Sequence, residues 1–310
     1  MELQWSHITI GEWKSLLEKI PHSNWMQSWP YAKATHSRDH KNIRFARIQE
    51  QSETLGFVVM QEIKLGPIHF IEIHRGPLWF AEHSTEENFR KFAELLRKTF
   101  PSRPLRRFRW LPEIENTEKT QDILKHAGFS PMPQSFETLL LDITPNEQEL
   151  RAGLEPKWRN GLNKAEKSEL QLRMDLHGNQ LDLFLVMYER HKFEKGFLGV
   201  SSAFLQTEAK TAIQGKEALF AWAFQNKQPV AGMMFLLHGK SASYRVGWNT
   251  QEGRSANAHY LLLWKSILNL KKLGIQSLDL GGIKNQEAPG VSHFKQGLGA
   301  QALQLPGLFR

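Results

Sequence analysis

One stretch of the chain gathers four cationic side chains on a short predicted helix. Lys157, Arg159, Lys164 and Lys167 all lie within residues 156–167. An arginine guanidinium can hold a phosphate through two parallel hydrogen bonds, which makes Arg159, with Lys157 beside it, a candidate phosphate-binding residue. The same charge pattern is also typical of a solvated helix face. The stretch by itself therefore leaves both interpretations open.

The charge of the chain is concentrated in its second half. The formal net charge is +8, of which residues 151–310 carry +9 and residues 1–150 carry −1. A basic half beside a nearly neutral one favours an anionic partner such as tRNA, a nucleotide or a phospholipid headgroup. A surface charged for solubility explains the same numbers equally well.

Composition excludes several classes of protein and of site. The absence of cysteine excludes disulfides, thiolate metal sites and a cysteine nucleophile, and it is compatible with the reducing cytoplasm. No stretch approaches the roughly 20 apolar residues that cross a bilayer, and the first ten residues lack the pattern of an export signal. No G-x-x-x-x-G-K-[ST] phosphate loop occurs, and nothing in the sequence demands a metal ion.

The elements that must position these residues alternate between helix and strand in both halves. Apolar spacing and capping residues predict helices in the first half at 11–20, 27–37, 85–100 and 117–126, and strands at 43–49, 55–63, 68–73, 107–111 and 137–143. In the second half they predict one long helix over 146–168, or two short ones broken near Pro156, and further helices at 179–195, 201–214 and 255–273. The predicted strands there are 170–176, 218–225, 229–237, 241–248 and 277–280.

The same alternation of helices and strands in both halves predicts an α/β protein of two domains. Each half contains a helix that ends at a glycine, Gly128 or Gly274, and is followed by a strand. We predict a first domain over residues 1–145 and a second over 146–310, with the last ~15 residues free to pack back on the first.

Four motifs in a fixed order resemble the signatures of one protein family. The first two are Gln27-Ser28-Trp29-x-Tyr31-Ala32 and Arg75-Gly76-Pro77. The third combines 138–143, the acidic helix start at 146–150 and the basic stretch at 157–167. The fourth combines Leu278-Asp279-Leu280-Gly281-Gly282-Ile283, Gly290-Val291 and Phe294-Lys295-x-Gly297-Leu298-Gly299. The ordered set resembles the Fem (FemABX) family, the peptidoglycan-bridge aminoacyltransferases.

The resemblance implies a fold and a reaction. The fold would be two tandem acetyltransferase-like (GNAT) domains without bound acetyl-CoA and without the coiled-coil arm of the largest members. The reaction would move an aminoacyl group from aminoacyl-tRNA onto an amine of a nucleotide-linked or lipid-linked muropeptide, in the cytoplasm. No cofactor is then needed, because the tRNA ester is already activated. Contact with a membrane surface is left open.

The resemblance also assigns roles to individual residues. Aminolysis passes through a tetrahedral oxyanion that a positioned cation stabilises, and Lys295 is the candidate cation. Arg159 and Lys33 correspond to phosphate-binding positions for the acceptor, although the second position could instead fall on Thr35. Tyr244, in a Tyr-x-x-Gly pattern, would line the acceptor cavity or pack in the core.

Two other functions compete with this one. An acyl-CoA-dependent enzyme of the same fold would cradle pyrophosphate on a Q/R-x-x-G-x-G/A loop before its central helix. The equivalent stretch, residues 251–259, has Arg254 but lacks the pair of glycines. A non-catalytic RNA-binding module would also use the basic half.

Overall fold

The structure, a computed structural model, describes residues 1–5, 7–283 and 289–310. Contacts divide the chain into two compact units. Unit 1 consists of Met1–Glu137 and Leu303–Arg310, and unit 2 of Thr138–Ala302. The domain boundary predicted between residues 145 and 146 stays a prediction.

Unit 1 is built on a sheet that is antiparallel except at one end. The strand order is β1-β2-β3-β4-β6, with β5 paired to β3, and β4 and β6 run parallel. The strands are β1 (Glu2–Trp5), β2 (Asn42–Glu50), β3 (Glu53–Leu65), β4 (Ile68–His74), β5 (Leu78–Trp79) and β6 (Arg106–Leu111). The helices are α1 (Ile10–Leu17), α2 (Trp29–Asp39), α3 (Glu86–Thr99) and α4 (Glu118–His126).

The two faces of this sheet support separate apolar clusters because successive strand residues point to opposite sides. Val58 and Met60 of β3 pack in the cluster that contains Phe92 of α3. Phe57 and Val59 pack in the other cluster, with Trp13 of α1. Unit 1 is therefore a three-layer arrangement of helices, sheet and helices.

Unit 2 is built on a seven-stranded mixed sheet of order β13-β7-β12-β11-β10-β9-β8. The strands of this sheet are β7 (Phe136–Asp142), β8 (Gln171–Asp175), β9 (Ala218–Gln225), β10 (Gln228–His238), β11 (Ser241–Asn249), β12 (Ser277–Gly282) and β13 (Gln301–Leu305). The first two residues of β7 and the last three of β13 are counted in unit 1. Its helices are α5 (Glu147–Ala152), α6 (Pro156–Glu166), α7 (Leu181–Lys195), α8 (Ser202–Gln214), α9 (Gln251–Ser255), α10 (Ala258–Lys272) and α11 (Pro289–Gln296).

The long predicted elements agree with the structure, and the differences lie at short ones. The predicted antiparallel meander is formed by β9, β10 and β11. The predicted helix at 255–273 corresponds to α10, which begins only at Ala258 because Asn257 adopts a left-handed conformation (φ 53°). The sequence did not predict β1, β5, α9, α11 or β13. Within the described residues, no helix is both long and apolar enough to span a bilayer.

Candidate active site

Two neighbouring parallel strands of unit 2 pair over only a short length. Ser241–Ser243 of β11 pair with Ser277–Asp279 of β12, and the Ser277 hydroxyl donates to the Ser241 hydroxyl at 2.9 Å. Beyond these residues the two described strands have no further ladder pairs with each other. The backbone groups at this end are therefore open to other partners.

A β-bulge in β11 determines which side chains lie beside this opening. Tyr244 pairs with Phe235 and Val246 pairs with Met234, so Arg245 is the extra residue. Because Met234 and Phe235 point to opposite faces, the bulge places Tyr244 and Val246 on opposite faces too. Tyr244 thereby shares a face with Gly247, which pairs with Met233.

Gly247 makes room for the Tyr244 side chain. A Cβ atom on Gly247 would lie 2.2 Å from the Tyr244 hydroxyl oxygen, far inside van der Waals contact. Any other residue at this position would displace the phenol ring. The Tyr-x-x-Gly pattern seen in the sequence is therefore a packing requirement that fixes where the Tyr244 hydroxyl lies.

Lys295 of α11 lies in the opening between the two strands. Its ammonium Nζ donates to the Gly282 carbonyl at 3.0 Å and lies 5.8 Å from the centre of the Tyr244 ring. It is also 3.6 Å from the point that a Cβ on Gly281 would occupy. We call Tyr244, Gly281, Gly282 and Lys295 the strand-split site.

The electrostatics of Lys295 are unusual for a lysine. The residue is only 8% exposed. Burial lowers the pKa of its ammonium to about 8, and the carboxylate of Asp279 opposes the change. An amine with this pKa is mostly a cation at neutral pH, but a weakly solvated one. Such a cation interacts strongly with a negative charge brought close to it.

Asp279 shapes the backbone on which Lys295 rests. Its carboxylate accepts hydrogen bonds from the Thr138 hydroxyl and from the Gly281 N–H, the latter at 2.7 Å. Gly281 has φ +78°, a conformation that glycine adopts without strain. The Asp-x-Gly-Gly sequence thus holds the turn that presents the Gly282 carbonyl to Lys295.

Helix α11 is anchored to α6 through aromatic side chains. The indole Nε1 of Trp158 donates to the Phe294 carbonyl at 2.9 Å, and the two rings stack with centroids 5.9 Å apart. Tyr260 of α10 meets both rings edge-on at 5.1 Å. A Cβ on Gly297 would lie 2.8 Å from Trp158. The third and fourth sequence motifs are therefore in direct contact.

The two predicted substrate-binding residues of α6 lie on its outer side. Lys157 is exposed. Arg159 is partly exposed, and its Nη2 donates to the carbonyls of Ala152 and Leu154 at 3.1 and 2.9 Å, which closes the end of α5. The Nε of Arg159 is buried and has no hydrogen-bond partner among the residues that the structure describes. The role of both residues in binding phosphate stays a prediction.

Lys33 belongs to unit 1, where it is exposed on α2. Thr35, the alternative position, is 1% exposed and donates its hydroxyl to the Tyr31 carbonyl at 2.9 Å. Lys33 thus points to solvent and Thr35 into the unit. The predicted role of Lys33 also stays a prediction.

The two motifs of unit 1 contact each other as structural elements. The Gln27 amide donates to the His74 carbonyl at 2.7 Å and accepts from the Val59 N–H at 2.7 Å. A Cβ on Gly76 would lie 2.8 Å from that amide. Arg75 is buried and forms a two-bond ion pair with Glu113, each bond 2.7 Å long. This second motif therefore stabilises the unit.

Comparisons with known proteins agree with this architecture. Residues 205–310 match the model of the FemAB family. The crystal structure of FemX is 15% identical, with a TM-score of 0.82 over 99% of this chain and 96% of that chain. A tandem GNAT protein from the clavulanic acid biosynthesis pathway is 11% identical, with a TM-score of 0.53 over 99% of this chain and 98% of that one.

A conserved protein of unknown function from Bacteroides thetaiotaomicron is also similar, with 11% identity and a TM-score of 0.62 over 99% of this chain and 98% of that chain. No curated protein matches the sequence significantly. The predicted α/β fold of tandem GNAT-like domains is confirmed by these structural likenesses. Residues 205–310 thus carry the match to the FemAB family, and the chain as a whole shares the fold of FemX and of the tandem GNAT protein.

Proposed function

We propose that this protein is an aminoacyltransferase that moves an aminoacyl group from aminoacyl-tRNA to an amine of a peptidoglycan precursor, forming an amide bond. The acceptor would be a nucleotide-linked or lipid-linked muropeptide. Charged tRNA serves as the donor and no further cofactor takes part. The reaction then belongs in the cytoplasm, where charged tRNA is made.

The observation that carries this proposal is the buried cation in the strand split. Lys295 is 8% exposed and is held by Gly282 on one side and the Tyr244 ring on the other. Among the described residues no carboxylate bonds directly to this ammonium. Burying an ammonium without such a bond is costly, so a structural role alone is a poor reason to place it there. A negative charge that appears during the reaction would supply the missing partner.

The proposed chemistry uses this cation at the tetrahedral stage. The acceptor amine attacks the ester carbonyl, which forms the C–N bond and moves the carbonyl electron pair onto oxygen. Lys295 donates one N–H to Gly282 and has further N–H groups for that oxyanion. Collapse restores the carbonyl and breaks the bond to the ribose oxygen. The proton lost by the amine balances the one gained by the ribose hydroxyl.

Four other residues are proposed to bind substrates. Tyr244 lies in the same opening as Lys295 and would contact the acceptor beside the reacting carbonyl. Arg159 would bind an acceptor phosphate, with its buried, unpartnered Nε as the additional donor. Lys157 and Lys33 are exposed cations that would support phosphate binding, and the basic second half would hold the tRNA.

Acyl-CoA-dependent transfer is the competing function, and one structural feature weighs against it. The stretch before α10 that would cradle pyrophosphate forms the short helix α9 instead. The Gly253 N–H bonds to the Thr250 hydroxyl at 3.2 Å, and the Arg254 side chain donates to the Asn249 carbonyl at 2.8 Å. These donors are already used within the protein.

The function is tested by following label from a pool of tRNA charged with radioactive amino acids to a muropeptide precursor. Labelled acetyl-CoA is offered in parallel as the competing donor. We expect transfer that depends on intact tRNA and is abolished by ribonuclease. Lys295→Ala should lower the turnover about 100-fold, and Arg159→Ala should mainly weaken binding of the acceptor.

Each alternative gives a different result in the same assay. Transfer from acetyl-CoA alone would establish the acyl-CoA-dependent enzyme. Binding of tRNA without transfer to any amine offered would favour the RNA-binding module. Wild-type turnover of Lys295→Ala would remove Lys295 from the active site, and unchanged acceptor affinity of Arg159→Ala would remove Arg159.

A further inference from the structure

The β3–β4 hairpin of unit 1 ends in an exposed group of large apolar side chains. Leu65, Ile68 and Phe70 are 63%, 37% and 40% exposed, and Leu105 from the loop before β6 is 49% exposed. The His69 N–H donates to the Leu105 carbonyl at 2.9 Å, which holds that loop against the start of β4. We call these four side chains the apolar tip. Isolated exposed apolar residues are ordinary, but a contiguous group indicates a binding surface.

Strand register places the hairpin members of the tip on one face of the sheet. Leu65 pairs with Ile68, Ile63 with Phe70, and Phe70 with Arg107 of β6. Directly paired residues point to the same face. Farther along β3, Phe57 and Val59 on this face are covered by α1 and α2. The face is therefore covered at one end and bare at the hairpin end.

Cations surround the apolar tip, and acidic residues are absent from the segments that form it. Residues 63–70 and 101–109 contain no Asp or Glu. Arg103 and Arg107 are exposed there, and we call them the cationic rim. Lys64 lies on the opposite face of the sheet, where it pairs with Glu62 at 3.2 Å, and Arg109 pairs with Glu72 at 3.5 Å. Arg106, in contrast, is turned inward and donates to the Pro101 carbonyl at 2.7 Å.

The acidic residues next to these segments are already engaged. Glu62 accepts from His69 at 2.6 Å, and Glu72 is bonded to Lys41 at 2.5 Å. Glu62 is buried, and Glu72 is held in its ion pair with Lys41. The surface therefore presents positive charge around a hydrophobic centre.

We propose that the apolar tip and the cationic rim dock this protein peripherally on an anionic lipid surface. Such a surface offers both chemistries at once: anionic headgroups for the rim and an acyl boundary for the aliphatic side chains. RNA would supply phosphates to the rim but would leave Leu65, Ile68 and Leu105 in water. This binding is reversible and sensitive to salt, because a few shallow apolar side chains anchor far less strongly than a spanning helix.

The experiment measures binding of the full chain to sedimented vesicles. Phosphatidylcholine vesicles that contain about one third phosphatidylglycerol are compared with pure phosphatidylcholine. One variant combines Leu65→Ser with Phe70→Ser, and a second combines Arg103→Glu with Arg107→Glu. The control combines Phe193→Ser with Leu198→Ser, because these residues of unit 2 are 90% and 105% exposed. Thermal unfolding shows that each variant is folded before it is compared.

We expect the wild type to bind the anionic vesicles preferentially and to be released by salt. Each variant of the tip or rim should bind at least tenfold more weakly, since one cation near an anionic surface contributes about fivefold. The control variant should bind like the wild type. No preference for anionic vesicles, retained binding in both variants, or loss of binding in the control would each overturn the proposal.

A parallel arm measures affinity for tRNA with the same proteins. If Arg103→Glu with Arg107→Glu weakens tRNA binding and leaves vesicle binding unchanged, the rim is an RNA surface and the lipid proposal is wrong. If the variant weakens vesicle binding and leaves tRNA binding unchanged, the lipid assignment stands. This readout does not depend on catalytic activity, so it remains informative whatever the transfer assay shows.

Discussion

At the scale of single residues, Lys295 combines a proposed catalytic role with a cost to stability. Its pKa is about 8 in the folded protein, against an ordinary value of 10.5. A shift of this size corresponds to about 3 kcal/mol of disfavoured charge. The folded state therefore binds fewer protons than the unfolded chain between these two values. The buried charge therefore destabilises the fold by this full amount below pH 8, and the destabilisation shrinks as the pH rises towards 10.5.

We therefore expect Lys295→Met to be more stable than the wild type by about 1–3 kcal/mol at pH 7, because an apolar side chain removes the buried charge. The same variant should be about 100-fold slower in aminoacyl transfer. Urea unfolding at pH 7 and near pH 10 measures the gain, which should shrink at the higher pH. Lys157→Met, at an exposed position, is the control and should change stability little. A gain that does not vary with pH would contradict the burial argument.

Gly247 offers a second test at this scale. Gly247→Ala should force the Tyr244 ring from its place, because the new Cβ would lie 2.2 Å from the hydroxyl oxygen. We expect a loss of about 1–3 kcal/mol in unfolding free energy and a fall in transfer rate on the order of 100-fold from misplacement. Gly11→Ala is the control, since a Cβ there meets nothing within 4 Å. Normal kinetics in Gly247→Ala would show that the position of Tyr244 does not matter.

At the scale of elements, the β-bulge in β11 serves both faces of the unit 2 sheet. It turns Tyr244 to one face and lets Arg245 reach α8, where its Nε donates to Glu208 at 2.8 Å. Glu208 is completely buried, burial raises its pKa, and its second oxygen has no partner in the described residues. This ion pair ties the strand of the site to a helix on the opposite layer.

Replacing one member of this ion pair should lower the free energy of unfolding far more than replacing both. Arg245→Met leaves a buried carboxylate and should cost about 3–5 kcal/mol in unfolding free energy, whereas Arg245→Met with Glu208→Met should recover most of that loss. Urea unfolding of the two single variants and the double variant measures the coupling. Additive losses would show that the two side chains act independently. Arg190→Met, from an exposed i,i+4 pair with Glu194, is the matched control.

Elements with a strong local pattern were predictable from the sequence, and elements created by tertiary pairing were not. Helix α3 agrees with the helix predicted at 85–100, and the local pattern responsible is its cap at Thr85 and its buried stripe of Phe89, Phe92 and Leu96. Strand β13, by contrast, has mostly exposed side chains and exists because it completes the sheet. The intrinsic strand propensity of a segment does not predict such pairing, because the pairing depends on distant residues.

The candidate site shows the same division. The motif around Lys295 was visible in the sequence, but the burial of its ammonium was not, since lysine is ordinarily exposed. That burial follows from long-range packing of Phe294 on Trp158. Asp279 was part of a quoted motif without an assigned role, and only the folded backbone shows that it positions Gly281.

At the scale of the whole molecule, the end of the described chain completes the core of unit 1. Phe309 is fully buried with Trp110 and Phe129. Its backbone exchanges two hydrogen bonds with Trp110, at 2.9 and 2.8 Å. Residues 303–310 are therefore part of the first unit, although unit 2 separates them from it in the sequence.

We expect Phe309→Ala to destabilise unit 1 by about 3–5 kcal/mol, because the cavity opens inside an aromatic cluster. Unfolding followed by tryptophan fluorescence reports the loss, since Trp110 borders that cavity. Gln304→Ala, an exposed position in the same segment, should be nearly neutral. Equal stability of the two variants would mean that the returning segment contributes nothing to unit 1.

The path of the chain also sets an order in time during synthesis on the ribosome. Every residue of unit 2 is joined before residues 303–310 are made. The second unit therefore has its whole sequence available while the first still lacks Phe309. The aromatic cluster of unit 1 therefore lacks Phe309 until residues 303–310 are made. The unit that is translated first thus completes its core only after the whole of the second unit has been made.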